Sequence, residues 1–156
     1  MDDADTLVLW LMAAVAATLV LSLLLQVDNW KRDLFHNEAE TSDDASDPVL
    51  RPVRIDQPLE QVVEAVRAVA NDLRGWEFVD QRWDDEGTLL HFVRITPVFR
   101  FRDDITIRIV AASRGGSEVH AHSASRLGMG DLGQNLRNLK ELLVPLREEL
   151  QPPKDI

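Results

Sequence analysis

FRFRDDITIRIV, Phe99 to Val110, repeats its polarity every second residue. Phe99, Phe101, Ile105, Ile107 and Ile109 fall on one side of an extended chain, and Arg100, Arg102, Asp104, Thr106 and Arg108 on the other. A strand with one greasy and one charged side belongs to an antiparallel sheet that buries one face and leaves the other to water or a partner. On its N-terminal side, Trp76 to Trp83 and Thr88 to Ile95 flank the turn Asp84-Asp85-Glu86-Gly87, which predicts a hairpin, and Pro97 separates that hairpin from the next strand. On its C-terminal side, Ser113-Arg114-Gly115-Gly116-Ser117 turns the chain into a last strand, Glu118 to Ala124.

Helical periodicity brackets these strands. Asp56-Gln57-Pro58 predicts a helix start with a side-chain cap and a first-turn proline, Gly75 its end, and Leu59, Val62, Val63, Val66, Ala70 and Leu73 one apolar stripe. A short strand is expected before it, at Leu50 to Ile55. Asp131 is expected to cap a C-terminal helix, with Gln134 as its reciprocal partner. Leu132, Leu136, Leu139, Leu143 and Leu146 form that helix's stripe, and Pro145 should kink or end it. The expected class is α+β: a small antiparallel sheet packed against two helices, with an N-terminal transmembrane helix outside that unit.

Leu7 to Val27 reads LVLWLMAAVAATLVLSLLLQV, without one charged residue. At about 1.5 Å per residue it spans roughly 30 Å of hydrocarbon. The flank MDDADT has no Lys or Arg, and LLLQVD shows no small-x-small cleavage pattern, so a retained anchor is favoured over a signal peptide. Trp10 and Trp30 sit near its two ends as interface anchors. Lys31 and Arg32 follow it, which puts the domain on the cytoplasmic side of a bacterial-type inner membrane, the periplasmic or lumenal side being the alternative. Ala14, Thr18 and Ser22 recur on one helical face, where another membrane helix could approach closely.

Charge is distributed unevenly in this chain of 156 residues and net charge −10. Residues 1–47 carry ten Asp or Glu against Lys31 and Arg32, whereas residues 48–156 are nearly neutral. Neither nucleic acid nor anionic lipid headgroups find the usual basic stripe. Cysteine is absent, which removes disulfides and thiolate metal sites. The resulting division is a tail at 1–6, a transmembrane helix at 7–27, an acidic linker at 28–49 that includes His36, an α+β domain at 50–150 and a tail at 151–156.

Ser123-Ala124-Ser125-Arg126-Leu127-Gly128-Met129-Gly130-Asp131-Leu132-Gly133-Gln134-Asn135 is the most distinctive run. It resembles the signature of the family catalogued as domain of unknown function 1499, which carries a similar Ser-Arg-x-Gly-x-x-Asp-x-Gly-x-Asn run before a last helix. Phe101, Asp103, Asp104, Ile105 and Arg108 look like that family's second marked segment. The resemblance spans about residues 50 to 148; His122 and Asn138 stand where arginines are common, which weakens the case for a shared anion site. It implies a fold and no established activity. Plant members in chloroplast membranes imply a lean towards photosynthetic or other energy-transducing membranes.

Chemical readings of the same residues are weaker. Gly128-x-Gly130-x-x-Gly133 matches a dinucleotide fingerprint, but no strand follows the helix and Asp131 would repel a pyrophosphate, so no nucleotide is expected. Instead the glycines allow a tight turn, and Arg126 is expected to pair with Asp103, Asp104 or Asp131. His120 and His122 could ligate zinc only if His91 or Asp104 converged with them, and their face should be the wet one. No nucleophile elbow or spaced carboxylate pair occurs, so no catalytic, cofactor or metal site is expected. Two functions remain: a non-enzymatic accessory or assembly subunit bound to other integral membrane proteins in the bilayer, and a tethered binder of a lipid or other hydrophobic ligand. The second requires an internal apolar cavity.

Overall fold

Trp76–Asp84 and Gly87–Ile95 do form a hairpin, and with the amphipathic strand they make one side of a six-stranded antiparallel sheet, with Trp76–Asp84 at its edge. The computed structural model describes residues 3–24, 37–97, 100–126 and 133–150. In chain order the elements are α1 (Asp3–Leu24), β1 (Glu38–Glu40), a 3-10 turn at Pro48–Leu50, β2 (Val53–Ile55), α2 (Leu59–Asp72), β3 (Trp76–Asp84), β4 (Gly87–Ile95), β5 (Arg102–Ala111), a 3-10 turn at Ser113–Gly115, β6 (Ser117–Ser125) and α3 (Gln134–Leu150). The sheet runs β6-β5-β4-β3, and the outer edge of β6 is shared: β1 pairs with its C-terminal end and β2 with its N-terminal end.

Helices α2 and α3 cover one face. Between them and the sheet lie Val62, Val66, Leu90, Phe92, Ile105, Ile107, Ile109, Leu139, Leu142, Leu143 and Leu146, all buried. Burying such a side chain contributes about 1.5–3 kcal/mol, which makes this layer the main source of stability. Of the two expected effects of Pro145, ending the helix does not occur: α3 runs through it to Leu150. Leu142, Leu143, Leu146 and Leu150 are buried on both sides of the proline, and together they outweigh the ~3 kcal/mol an interior proline costs.

Other expectations need correction. Asp56 does not cap α2: Pro58, in an extended conformation, holds the N-cap position without a side-chain hydrogen bond. The strand expected at Leu50 to Ile55 is confined to β2, behind the 3-10 turn. Phe101 does not point into the core but is 51 % exposed, because β5 begins only at Arg102; the next inward position is taken by Asp103. Residues 37–49, assigned to the linker, are held to the domain. Glu38–Glu40 pairs with β6, the Lys140 ammonium lies 2.8 Å from Asp47, and Arg147 donates to the Val49 and Arg51 carbonyls. The hydrogen bond from Lys140, with a second from the Val49 amide, holds the Asp47 carboxyl below its ordinary pKa. Phe99, Leu132, the expected cap at Asp131 and His36 lie outside the described residues.

Gly75 links α2 to β3 with φ +82°, and a Cβ there would stand 2.7 Å from the Ile95 carbonyl oxygen. That oxygen cannot easily retreat, since the Ile95 amide donates to the Gly75 carbonyl at 2.8 Å. Gly75→Ala is therefore expected to lower stability by about 1–3 kcal/mol in chemical denaturation; an unchanged midpoint would mean that the turn rearranges freely.

Candidate functional site

The second marked segment and the glycine-rich run meet where β5, β6 and α3 come together, and they part there into an inner and an outer cluster. In β5 the inward register reads Asp103, Ile105, Ile107, Ile109; in β6 it reads Ser117, Val119, Ala121, Ser123. One helical turn of α3 places Asn135 and Asn138 opposite the polar members of those two rows. Asp103, Ser123, Asn135 and Asn138 are all buried, at 0–1 % exposure.

Their hydrogen bonds close on one another. Asp103 accepts from the Ser125 hydroxyl at 2.7 Å through Oδ1 and from Asn138 Nδ2 at 2.9 Å through Oδ2. Asn138 Nδ2 also donates to Ser123 Oγ, and its Oδ1 accepts from Gln134 Nε2 at 2.7 Å. The Ser123 hydroxyl donates to Asn135 Oδ1 at 2.5 Å, while Asn135 Nδ2 donates to Ser125 Oγ at 2.9 Å and to the Asn37 carbonyl at 2.6 Å. A buried polar network is favourable only when its members are satisfied, and this one stitches β5, β6, α3 and the start of β1 together.

Asp104 and Arg126 lie across the sheet, on its wet face. Arg126 Nε and Nη2 reach the two Asp104 oxygens at 2.8 and 2.7 Å, a bidentate pair, which settles the three-way expectation for Arg126 within the described residues. His91 Nε2 stands 3.1 Å from Asp104 Oδ1. The Arg126 hydrogen bond, partly opposed by burial and assisted by His91, holds the Asp104 carboxyl below its usual pKa. Because that pKa is depressed, the stabilisation is present at neutral pH and is lost as pH falls through the carboxylate range.

Arg108 is far from this pair, bridging Asp84 at 3.0 Å and Glu86 at 3.1 Å in the β3–β4 turn. Asp84 is held low in pKa, first by the Glu86 amide. His120 and His122 are partly exposed beside Glu118 and Glu38, at 3.4 and 3.5 Å. Among the described residues no three potential metal ligands converge.

The structure thus brings Asp103, Ser125 and Asn135 together, sets Asp104 and Arg126 back to back with them, and leaves Phe101 and Arg108 apart. Gly133 adopts φ +75° at the approach to α3, whereas Gly128 and Asp131 lie outside the described residues. Ser123 and Asn138 were missed as network members. Both carried a signal: a polar residue at an inward position of a row that is otherwise apolar but for Ser117 in β6 and Asn135 in α3. At the N-terminal end of the chain, Trp10, Ala14, Thr18 and Ser22 are exposed along α1, and the Thr18 hydroxyl donates to the Ala14 carbonyl at 2.8 Å. Trp30, Lys31 and Arg32 lie outside the described residues.

An antiparallel sheet under two helices, locked by a buried Asp-Ser-Asn seam, defines a small α+β domain whose signature residues face inward as well as out. The chain belongs to the family described as Protein of unknown function (DUF1499), which it matches over residues 31–146. That match takes in the β1 segment. No curated protein matches. Among solved structures, the crystal structure of a Deinococcus radiodurans protein is similar, with 19 % identity over 72 % of this chain and 98 % of that one and a TM-score of 0.38.

Proposed function

We propose that this chain is a single-pass, non-enzymatic accessory or assembly subunit of a larger membrane protein complex. The observation that carries the reading is α1. Its stretch Asp5–Ser22 is long and apolar enough to cross a membrane, and none of it is buried against the rest of the chain. An unshielded apolar helix of that length needs lipid or another apolar surface. Lys31 and Arg32 just beyond it favour a domain on the cytoplasmic side. The Ala14, Thr18 and Ser22 face offers close packing to another membrane helix, and the bonded Thr18 hydroxyl adds no desolvation penalty there.

The lipid-carrier alternative finds less support. The space between sheet and helices is occupied by Leu90, Phe92, Ile105, Ile107 and the α3 leucines. The cavities described, of about 950, 650 and 420 Å³, all have charged residues in their walls.

Extraction of native membranes in mild detergent tests the reading. The chain, starting at Met1 by mass, is expected to migrate with a much larger particle, and Ala14→Leu combined with Ser22→Leu should reduce the co-migrating share several-fold. Migration as a free monomer, or a mature form beginning after residue 27, overturns it.

A further inference from the structure

The register of the sheet collects one end of the domain around the point where the chain arrives from α1. Asn37 lies against Ser125, whose amide donates to its carbonyl at 2.8 Å. Ser125 pairs with Asp103, Arg102 with Ile95, and Arg94 with Trp76. That same end therefore carries Arg74 and Gly75 from the α2–β3 link, Thr96, Pro97 and Arg100 to Arg102 from the β4–β5 link, and Arg126. The hairpin turn Asp84-Asp85-Glu86 is at the other end. Only residues 25–36 separate Leu24 of α1 from Asn37, a reach of about 40 Å even when fully extended.

Basic and aromatic side chains crowd this near end. Arg94 pairs with Glu141 and Arg126 with Asp104, but Arg74, Arg100 and Arg102 are exposed and make no ion pair among the described residues. Asp72 and Glu77 are exposed carboxylates close to Arg74 in the chain, and Glu38, paired with Ala124, is exposed at the same end of the sheet. Phe101 sits between Arg100 and Arg102 and is 51 % exposed. Its outward position is built in: the Phe101 amide donates to Thr96 Oγ1 and the Thr96 amide to the Phe101 carbonyl, both at 2.9 Å, around Arg100 at φ +53°. Arg74, Arg94 and Arg100 also line a cavity of about 420 Å³, together with Glu77 and with Glu141, which Arg94 neutralises.

We infer that this end is a docking surface for anionic phospholipid headgroups, with Arg74, Arg100 and Arg102 on the phosphates and the Phe101 ring at the headgroup boundary. The inference rests on the membrane-anchor reading. A tether raises the local concentration of bilayer surface, so modest attraction suffices, and each arginine near an anionic surface strengthens binding about fivefold. The acidic net charge of the chain conceals the feature, because the arginines come from separate segments and meet only through strand register.

The test uses the full chain in nanodiscs of phosphatidylcholine, or of phosphatidylcholine with one part in four phosphatidylglycerol. The chain has no cysteine, so Asn71→Cys, exposed on the last turn of α2, and Ser113→Cys, exposed at the far end, each accept a single fluorophore. With headgroup-linked quencher in anionic discs, the label at position 71 should be quenched several-fold more than that at position 113. High salt, pure phosphatidylcholine, Phe101→Ala, or Arg74→Gln with Arg100→Gln and Arg102→Gln should each erase or sharply reduce the difference. Equal quenching of the two labels in anionic discs, or a difference that survives both salt and the arginine substitutions, overturns the docking surface. A chain that enters discs of neither composition overturns the anchor reading itself, a separate and recognisable failure.

Discussion

Asp103→Ala is expected to destabilise the domain by about 3–5 kcal/mol, most of it from donors left without acceptors rather than from lost packing. The two Asp103 oxygens take the Ser125 hydroxyl and the Asn138 amide in a site with 1 % exposure, so water cannot replace them without opening the junction of β5, β6 and α3. Asp103→Asn separates shape from hydrogen bonding. It keeps the volume, but one of its two contacts must become donor against donor unless the Ser125 hydroxyl, which already accepts from Asn135, turns its proton elsewhere. Its expected cost is intermediate, about 1–3 kcal/mol. Urea denaturation followed by circular dichroism measures both. An Asp103→Ala variant within about 0.5 kcal/mol of the parent would mean that the network does not hold the junction.

The same residue shows what could be read in the sequence and what could not. The period-two pattern of Ile105, Ile107 and Ile109 locates β5 and its buried face without tertiary information. The same register puts Asp103 on that face, but a carboxylate in an inward row is intelligible only once Ser125 and Asn138 arrive from other segments. The pattern also runs on, on paper, through Phe101, past the point where the backbone leaves the strand. Composition misled in residues 37–49 for a related reason: Glu38–Glu40 joins the sheet through backbone hydrogen bonds to β6, to which side-chain polarity is blind. Asp104 and Arg126 were legible as partners in kind, since a guanidinium following a strand in a carboxylate-rich neighbourhood will find one. Which carboxylate it takes depends on the β5–β6 register.

Phe92→Ala is expected to cost about 3–5 kcal/mol, and its comparison with Phe101→Ala tests the division between core and rim. Phe92 is 1 % exposed at the centre of the helix-covered face. Its ring meets Trp76 at 6.0 Å and 61°, and Phe78 at 5.6 Å and 69°, both edge-on. Removing it opens a cavity and takes away both edge contacts, each worth about 0.5–1.5 kcal/mol beyond burial. Neither neighbour can easily fill the gap: Trp76 Nε1 is bonded to Glu141, and Phe78 lies under the Arg67 guanidinium at the sheet margin. Phe92→Leu, which keeps most of the volume, should lose about 1.5 kcal/mol. Phe101→Ala should stay within about 0.5 kcal/mol of the parent, because its ring lies outside the packed layer. The two phenylalanines therefore predict opposite phenotypes, with Phe92→Ala impairing folding at preserved lipid contact and Phe101→Ala losing lipid contact at preserved stability. Equal destabilisation by both would place Phe101 in the core and remove it from the proposed lipid-docking surface.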